Sequence, residues 1–174
     1  EDIELKFRNK PILDNEGNAK TVSATTLWNK IVENSWDSAE PGILNIGLAN
    51  KMNTISYYKP VICTNPCGEQ WLESYGSCNL GAVNLARHIT DGEMDWDLLA
   101  DTVRVGVRFL DNVLDVNHYP LKEIDDNCQK VRRSGLGIMG LGHALIKLGL
   151  RYNNSEGRKM VDKIFNFIKK RAYE

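Results

Sequence analysis

The chain has 174 residues, 42% apolar and 26% charged, with a formal net charge of −1. That balance excludes a disordered polymer and fits one domain or a large piece of one. No lysine- or arginine-rich block marks nucleic acid or an anionic membrane surface as the main partner, and no apolar run approaches the ~20 residues of a membrane span.

Both ends give the expectation of an internal segment. The first residues, E-D-I-E-L-K-F-R-N-K, hold neither an initiator methionine nor the pattern of a signal peptide, and R-A-Y-E ends the chain within a helical pattern. Four cysteines without a secretory signal point to a reducing, cytoplasmic setting, where thiols are catalytic, metal-bound or buried.

Residues 1–22 are polar, with a turn signal at D-N-E-G-N. Ser23 suits an N-cap, and Leu27, Trp28, Ile31, Val32 and Trp36 then fall on one helical face. Glu40, Pro41 and Gly42 stop that helix. A short helix is expected around Leu48, and a short strand at Val61, Ile62, Cys63 and Thr64. Residues 77–86 are strand-like. Behind Asp95, Trp96, Leu99, Val103, Val107, Leu110 and Leu114 step by three or four, and Asn117 and Pro120 end the helix. The next helix, over 121–132, places Leu121, Ile124, Cys128 and Val131 on one face. A glycine-rich strand, a helix through Ala144 and Leu148, and a helix capped at Asn153, Asn154 and Ser155 follow. The last has Met160, Val161, Ile164 and Ile168 inward. Strands alternating with helices make the fold class α/β.

Between the strand at 61–64 and the next apolar run lies T-N-P-C-G-E-Q. Pro66 and Gly68 flank Cys67, so this is a short, stiff loop, and it holds a carboxamide, a thiol and a carboxylate in Asn65, Cys67 and Glu69. A strained turn with an incidental thiol is one reading. A reactive cysteine with a carboxylate base and an orienting amide is the other. Glu69 would raise a thiol pKa rather than lower it, so protease-like thiolate chemistry is poorly supported.

Three other motifs are weaker. Cys63, Cys67, Cys78 and His88 form C-x3-C-x10-C-x9-H, which lacks the second close pair of a structural zinc site. No metal is expected on this segment. Cys63 and Cys128 are expected to be packed. Gly135, Gly137 and Gly140 match G-x-G-x-x-G, but a helix end precedes them where a dinucleotide fingerprint needs a strand. Asp111, Asp115 and Asn117 fail the EF-hand pattern and suit a solvated helix face and its end.

Four blocks in order carry a resemblance: N-P-C-G-E-Q, S-Y-G-S-C-N-L-G-A-V-N-L-A, F-L-D-N-V-L-D-V-N-H-Y-P-L-K-E-I and R-R-S-G-L-G-I-M-G-L-G-H-A-L. Over about residues 20–174 the chain resembles the large catalytic chain of ribonucleotide reductase. The resemblance implies part of a ten-stranded α/β barrel, with both ends truncated, whose central finger loop holds the radical cysteine. Cys67 matches the thiyl cysteine, Glu69 the glutamate that takes the 3′-hydroxyl proton, and Asn65 the asparagine on the ribose hydroxyls. Cys78 matches one thiol of the reducing pair.

The Pro-Cys-Gly loop and the short gap to Cys78 resemble the adenosylcobalamin-dependent class II enzymes. A class I chain with a separate metal-radical subunit is the alternative. The implied partners are a ribonucleotide, a thioredoxin or glutaredoxin as reductant, and a second copy of the full chain. The isolated segment is expected to be poorly active. Rival readings are a non-catalytic nucleotide-binding fragment and a dinucleotide-binding oxidoreductase.

Overall fold

The computed structural model describes all residues, 1–174, as two compact units, Glu1–Asn45 and Ile46–Glu174. The first unit holds β1 (Asp2–Glu4), β2 (Lys6–Phe7), β3 (Lys10–Pro11), β4 (Thr21–Ser23) and α1 (Ala24–Ser38). β1 pairs antiparallel with β4, and β2 with β3. The turn at 14–18 forms where the sequence signals it: Asp14 Oδ1 accepts from the backbone N–H groups of Glu16 and Asn18, both at 2.9 Å. Ser23 is the N-cap residue of α1, but its hydroxyl makes no capping bond. Ala39, left-handed at φ 61°, ends the helix just ahead of Pro41. The expected apolar face is present yet buries none of its residues within the unit, and Trp36 is 91% exposed.

The second unit contains α2 (Ile46–Lys51), β5 (Cys63–Thr64), β6 (Trp71–Leu72), β7 (Asn79–Asn84), a 3₁₀ turn (Leu85–His88), β8 (Ile89–Thr90) and β9 (Glu93–Met94). It continues through α3 (Trp96–Val116), α4 (Lys122–Val131), β10 (Ser134–Met139), α5 (Leu141–Lys147) and α6 (Ser155–Tyr173). β7 and β10 are parallel, in register from Asn79 opposite Ser134 to Asn84 opposite Met139. A parallel pair needs a long crossover, and α3 with α4 supplies it, so this is a β–α–β unit and the α/β expectation is met.

Burial explains why the crossover docks. Leu99 and Val103 of α3 are completely buried with Val83 of β7, Leu85, Ala144 of α5 and Ile164 of α6. Small residues let the layers approach. A Cβ on Gly106 of α3 would lie 3.2 Å from Leu136, and one on Gly81 of β7 would lie 3.5 Å from Leu110. The caps are where the residue types place them: Asp95 Oδ1 accepts from Leu98 N–H at 2.9 Å, and Asn154 Oδ1 from Gly157 N–H at 2.7 Å.

Two expected faces are corrected. In α4 the buried residues are Asn127 and Cys128, whereas Leu121 is the extended N-cap residue and is exposed. A residue ahead of the helix does not share its face, and Asn127 turns inward to a buried carboxylate described below. Cys63 is exposed rather than packed, because β5 has only β6 beside it. Cys128 is buried as expected, with its Sγ 2.9 Å from Ser77 Oγ.

The glycine-rich run lies inside β10 and ends at Gly140, the left-handed N-cap residue of α5 (φ 73°). Its first two glycines belong to a strand and not to a strand-to-helix turn, which is incompatible with a dinucleotide fingerprint. Asp111 and Asp115 each accept from Arg132 at 2.8 Å on an exposed face. No group of three or more His, Cys, Asp or Glu side chains clusters to hold a metal ion, and no helix is long and apolar enough to cross a membrane.

Candidate active site: a hairpin tip beside a glycine-lined cavity

The loop at 65–70 is the tip of an antiparallel hairpin. Cys63 pairs with Leu72 and Thr64 with Trp71, and Ile62 N–H extends the ladder to Leu72 O at 2.8 Å. Asn65 organises the tip with both backbone and side chain. Its carbonyl accepts from Gly68 N–H at 3.0 Å, closing a β-turn with Pro66 and Cys67 at the centre. Proline presets φ at the first central position, and Gly68 takes a left-handed φ of 77°.

The Asn65 side chain spans the turn. Its Oδ1 accepts from Gln70 N–H at 3.0 Å, and its Nδ2 donates to Glu69 Oε1. Asn65 and Glu69 are thereby joined, with Cys67 exposed between them at the turn. Pro66, Gly68 and a bridging amide hold the thiol in place without any core beneath it.

Glu69 lines an open cavity of about 590 Å³ with Leu80, Gly81 and Ala82 of β7 and Gly135, Leu136 and Gly137 of β10. On this side of the strands Gly135 and Gly137 leave backbone bare, whereas the Cβ position of Gly81 faces Leu110 of α3. Cys78 lies at the rim: a Cβ on Gly135 would be 3.8 Å from its Sγ. Asn65, Cys67 and Cys78 are not themselves in the lining. Cys78 is half-buried, and its Sγ contacts Asn79 O at 3.4 Å. Burial pushes its thiol pKa up. The Arg133 cation pulls it back down, while Cys128 and Glu73 add to the rise.

One residue with no local signal lies between the hairpin and Cys78. Glu73, directly after β6, is 1% exposed. Its Oε2 accepts from Arg133 at 2.7 Å and its Oε1 from Asn127 Nδ2 at 2.7 Å. Burial works to raise the carboxyl pKa, but its own backbone N–H, Asn127 and Arg133 outweigh that and hold it below the usual glutamate value. Lys59 donates to Asn127 Oδ1 at 2.7 Å. An acid in the polar string E-S-Y-G-S looks solvent-facing, and its partners are 54 and 60 residues away.

His88, the fourth member of the C-x3-C-x10-C-x9-H pattern, is buried elsewhere. Its Nδ1 donates to Asn84 O at 2.9 Å, which leaves Nε2 to accept from Thr102 Oγ1 at 2.9 Å.

Comparison with known proteins identifies the setting. A family model described as "Ribonucleotide reductase, barrel domain" matches residues 7–174. A vitamin B12-dependent ribonucleoside-diphosphate reductase of Thermoplasma acidophilum is 37% identical over 156 residues, covering 89% of this chain and 20% of that protein. A vitamin B12-dependent reductase of Mycobacterium tuberculosis is 37% identical over 150 residues, covering 86% of this chain and 22% of its own length. A ribonucleoside-diphosphate reductase subunit alpha of Chlamydia muridarum is 35% identical over 147 residues, 82% of this chain and 14% of that one. The chain thus spans about a fifth or less of the length of these relatives. With the family match running through both the hairpin and the β7–β10 pair, the chain belongs to the ribonucleotide reductase barrel-domain family.

Proposed function

We propose that this chain forms part of the catalytic barrel of an adenosylcobalamin-dependent ribonucleotide reductase, with the hairpin tip as the finger loop inside a ten-stranded barrel. β7 and β10 are two neighbouring strands of that barrel. The observation that supports the reading is the Asn65 amide, which joins the Glu69 carboxylate and the Gln70 backbone across the turn that carries Cys67. The glycine-lined cavity beside Glu69 leaves room for a ribose against the strands.

In this reading Cys67, as a thiyl radical, takes the hydrogen atom from C3′ of the ribonucleotide. Glu69 takes the proton of the 3′-hydroxyl, and Asn65 hydrogen-bonds the ribose hydroxyls. Water leaves from C2′. Cys78 and a second thiol outside this chain supply two electrons and close to a disulfide, Cys67 returns the hydrogen to C3′, and a thioredoxin- or glutaredoxin-type dithiol reduces the disulfide. The geometry suits this chemistry, because a radical on sulfur must meet one C–H bond and nothing else, which a short, cross-braced turn enforces. A neutral thiol is the hydrogen carrier, so the neighbouring carboxylate is no handicap.

Adenosylcobalamin, when bound, supplies the one-electron oxidation of Cys67. The exposed position of Cys67 fits that role, and no residue of this chain is assigned to hold the corrin.

The test uses the complete parent chain with ribonucleotides and a dithiol, with and without adenosylcobalamin. Deoxynucleotide formed only with the cobalamin supports the reading. Product formed only after addition of a metal-loaded second subunit moves the chain to class I. No product under either condition overturns reductase activity and favours a nucleotide-binding role.

A further inference from the structure

Glu73 is a buried acid that the proposed reaction does not use. It ends the hairpin arm that leads back from Cys67 and opens the turn that leads to Cys78. Glu73 O accepts from Gly76 N–H at 3.0 Å, and Tyr75 within the turn is left-handed at φ 59°. The turn folds onto the acid itself: a Cβ on Gly76 would lie 2.9 Å from both the carbonyl oxygen and the carboxyl group of Glu73.

The far side of the acid is tied to two later elements. Asn127 is on α4, and Arg133 immediately precedes β10. Arg133 reaches Glu73 through one nitrogen only, and its Nε is buried with no hydrogen-bond partner in the protein. Its charge is therefore matched by Glu73 alone. Lys59 caps the assembly through Asn127 and approaches Ser74 O at 3.5 Å. Cys78 lies beside this assembly: a Cβ on Gly135, two residues after Arg133, would be 3.8 Å from its Sγ, and the adjoining Ser77 Oγ meets Cys128 Sγ at 2.9 Å. The charged and titratable groups that act on Cys78 are Arg133 from the β10 side, Cys128 from α4 and Glu73 from the hairpin.

The geometry points to Glu73 as a positioning residue for Cys78: it locks the hairpin, α4 and the start of β10 into one arrangement, and it holds Arg133 in an ion pair beside the thiol. An unmatched guanidinium beside a cysteine favours the thiolate. A reducing thiol that is to hand over hydrogen must still carry it. This inference rests on the reading of Cys78 as a reducing thiol.

The experiment follows iodoacetamide alkylation of Cys78 in the full-length protein, by mass spectrometry of its peptide, as a function of pH. Glu73→Gln is expected to lower the midpoint of the profile by about one pH unit, which is about tenfold faster alkylation at a fixed pH below the midpoint. Arg133→Met is expected to raise it, and the double variant to return it close to the original. A merely structural role would speed alkylation in both single variants at every pH with no opposite shift. Midpoints that move the same way, or do not move, overturn the inference. If Glu73→Gln does not fold by circular dichroism, Arg133→Met keeps the test open, since its midpoint must rise. Single-turnover assay of Cys78→Ser tests the catalytic reading separately. Product there would sink the role of Cys78 in reduction while leaving the alkylation result to stand.

Discussion

The hairpin tip and the β7–α3–β10 frame are held by different physics. The frame is organised by burial, with Leu99, Val103, Leu85 and Ile164 wholly out of solvent and docked through Gly81 and Gly106. The tip buries nothing: Cys67 and Glu69 are exposed, and their placement depends on one amide, one proline and one left-handed glycine. On the proposed reading these side chains meet a substrate and need accessibility, which a short loop on a rigid scaffold provides. Local hydrogen bonds then do for the tip what packing does for the frame.

The contrast is sharpest if a change at the tip removes function without touching stability. On the proposed reading, Cys67→Ser in the full-length protein is expected to abolish deoxynucleotide formation, with a change in the urea midpoint equivalent to less than about 0.5 kcal/mol. A substantial loss of stability would mean that the tip is part of the packed structure after all. In the frame the opposite holds. Leu99→Ala empties a fully buried site and is expected to cost about 4 kcal/mol by denaturant unfolding. A cost under 1 kcal/mol would show that the core relaxes around the site.

Glu73 bridges the two regimes, and its effect depends on pH. Glu73→Gln leaves Arg133 buried without a counter-charge and is expected to cost about 3 kcal/mol at neutral pH. The Glu73 carboxyl is held below its ordinary value of 4.5, so its stabilisation is present above that value. It is lost as pH falls through the lower, folded-state value. Stability curves of parent and variant should therefore keep a constant separation above about pH 4.5 and converge as pH falls below it. A separation that persists undiminished into acid would break the assignment. The smallest effect belongs to a local cap: Asp95→Ala is expected to cost about 1 kcal/mol, with no change in the reactivity of Cys67 toward iodoacetamide.

Short-range rules were enough at several places where the deciding partner lies a few residues away, though not at Ser23, whose hydroxyl makes no cap. Asp95 and Asn154 cap helices, the apolar steps from Leu99 to Leu114 mark the inner face of α3, and Pro66 with Gly68 forces a turn at Cys67. That Asn65, Cys67 and Glu69 share one turn was legible for the same reason. Leu121 and Cys63 went the other way. Their environments depend on whether a helix has begun and whether another strand covers the hairpin, and apolar spacing encodes neither.

By itself, then, the sequence determined the order of the helices, the caps at Asp95 and Asn154 and the tight turn at Cys67, because those depend on backbone sterics and on neighbours within about one turn, while the short strands of residues 2–23 and β6, β8 and β9 carry no such local signal. Only the tertiary structure decided that β10 lies parallel to β7, that Gly135 and Gly137 line an open cavity beside Glu69, and that Glu73 is buried against Asn127 and Arg133. Those facts join residues about 50 to 70 positions apart. Residues so distant meet only when the crossover helix α3 has docked, and the energy of that docking is burial spread over the whole core rather than a property of any short stretch.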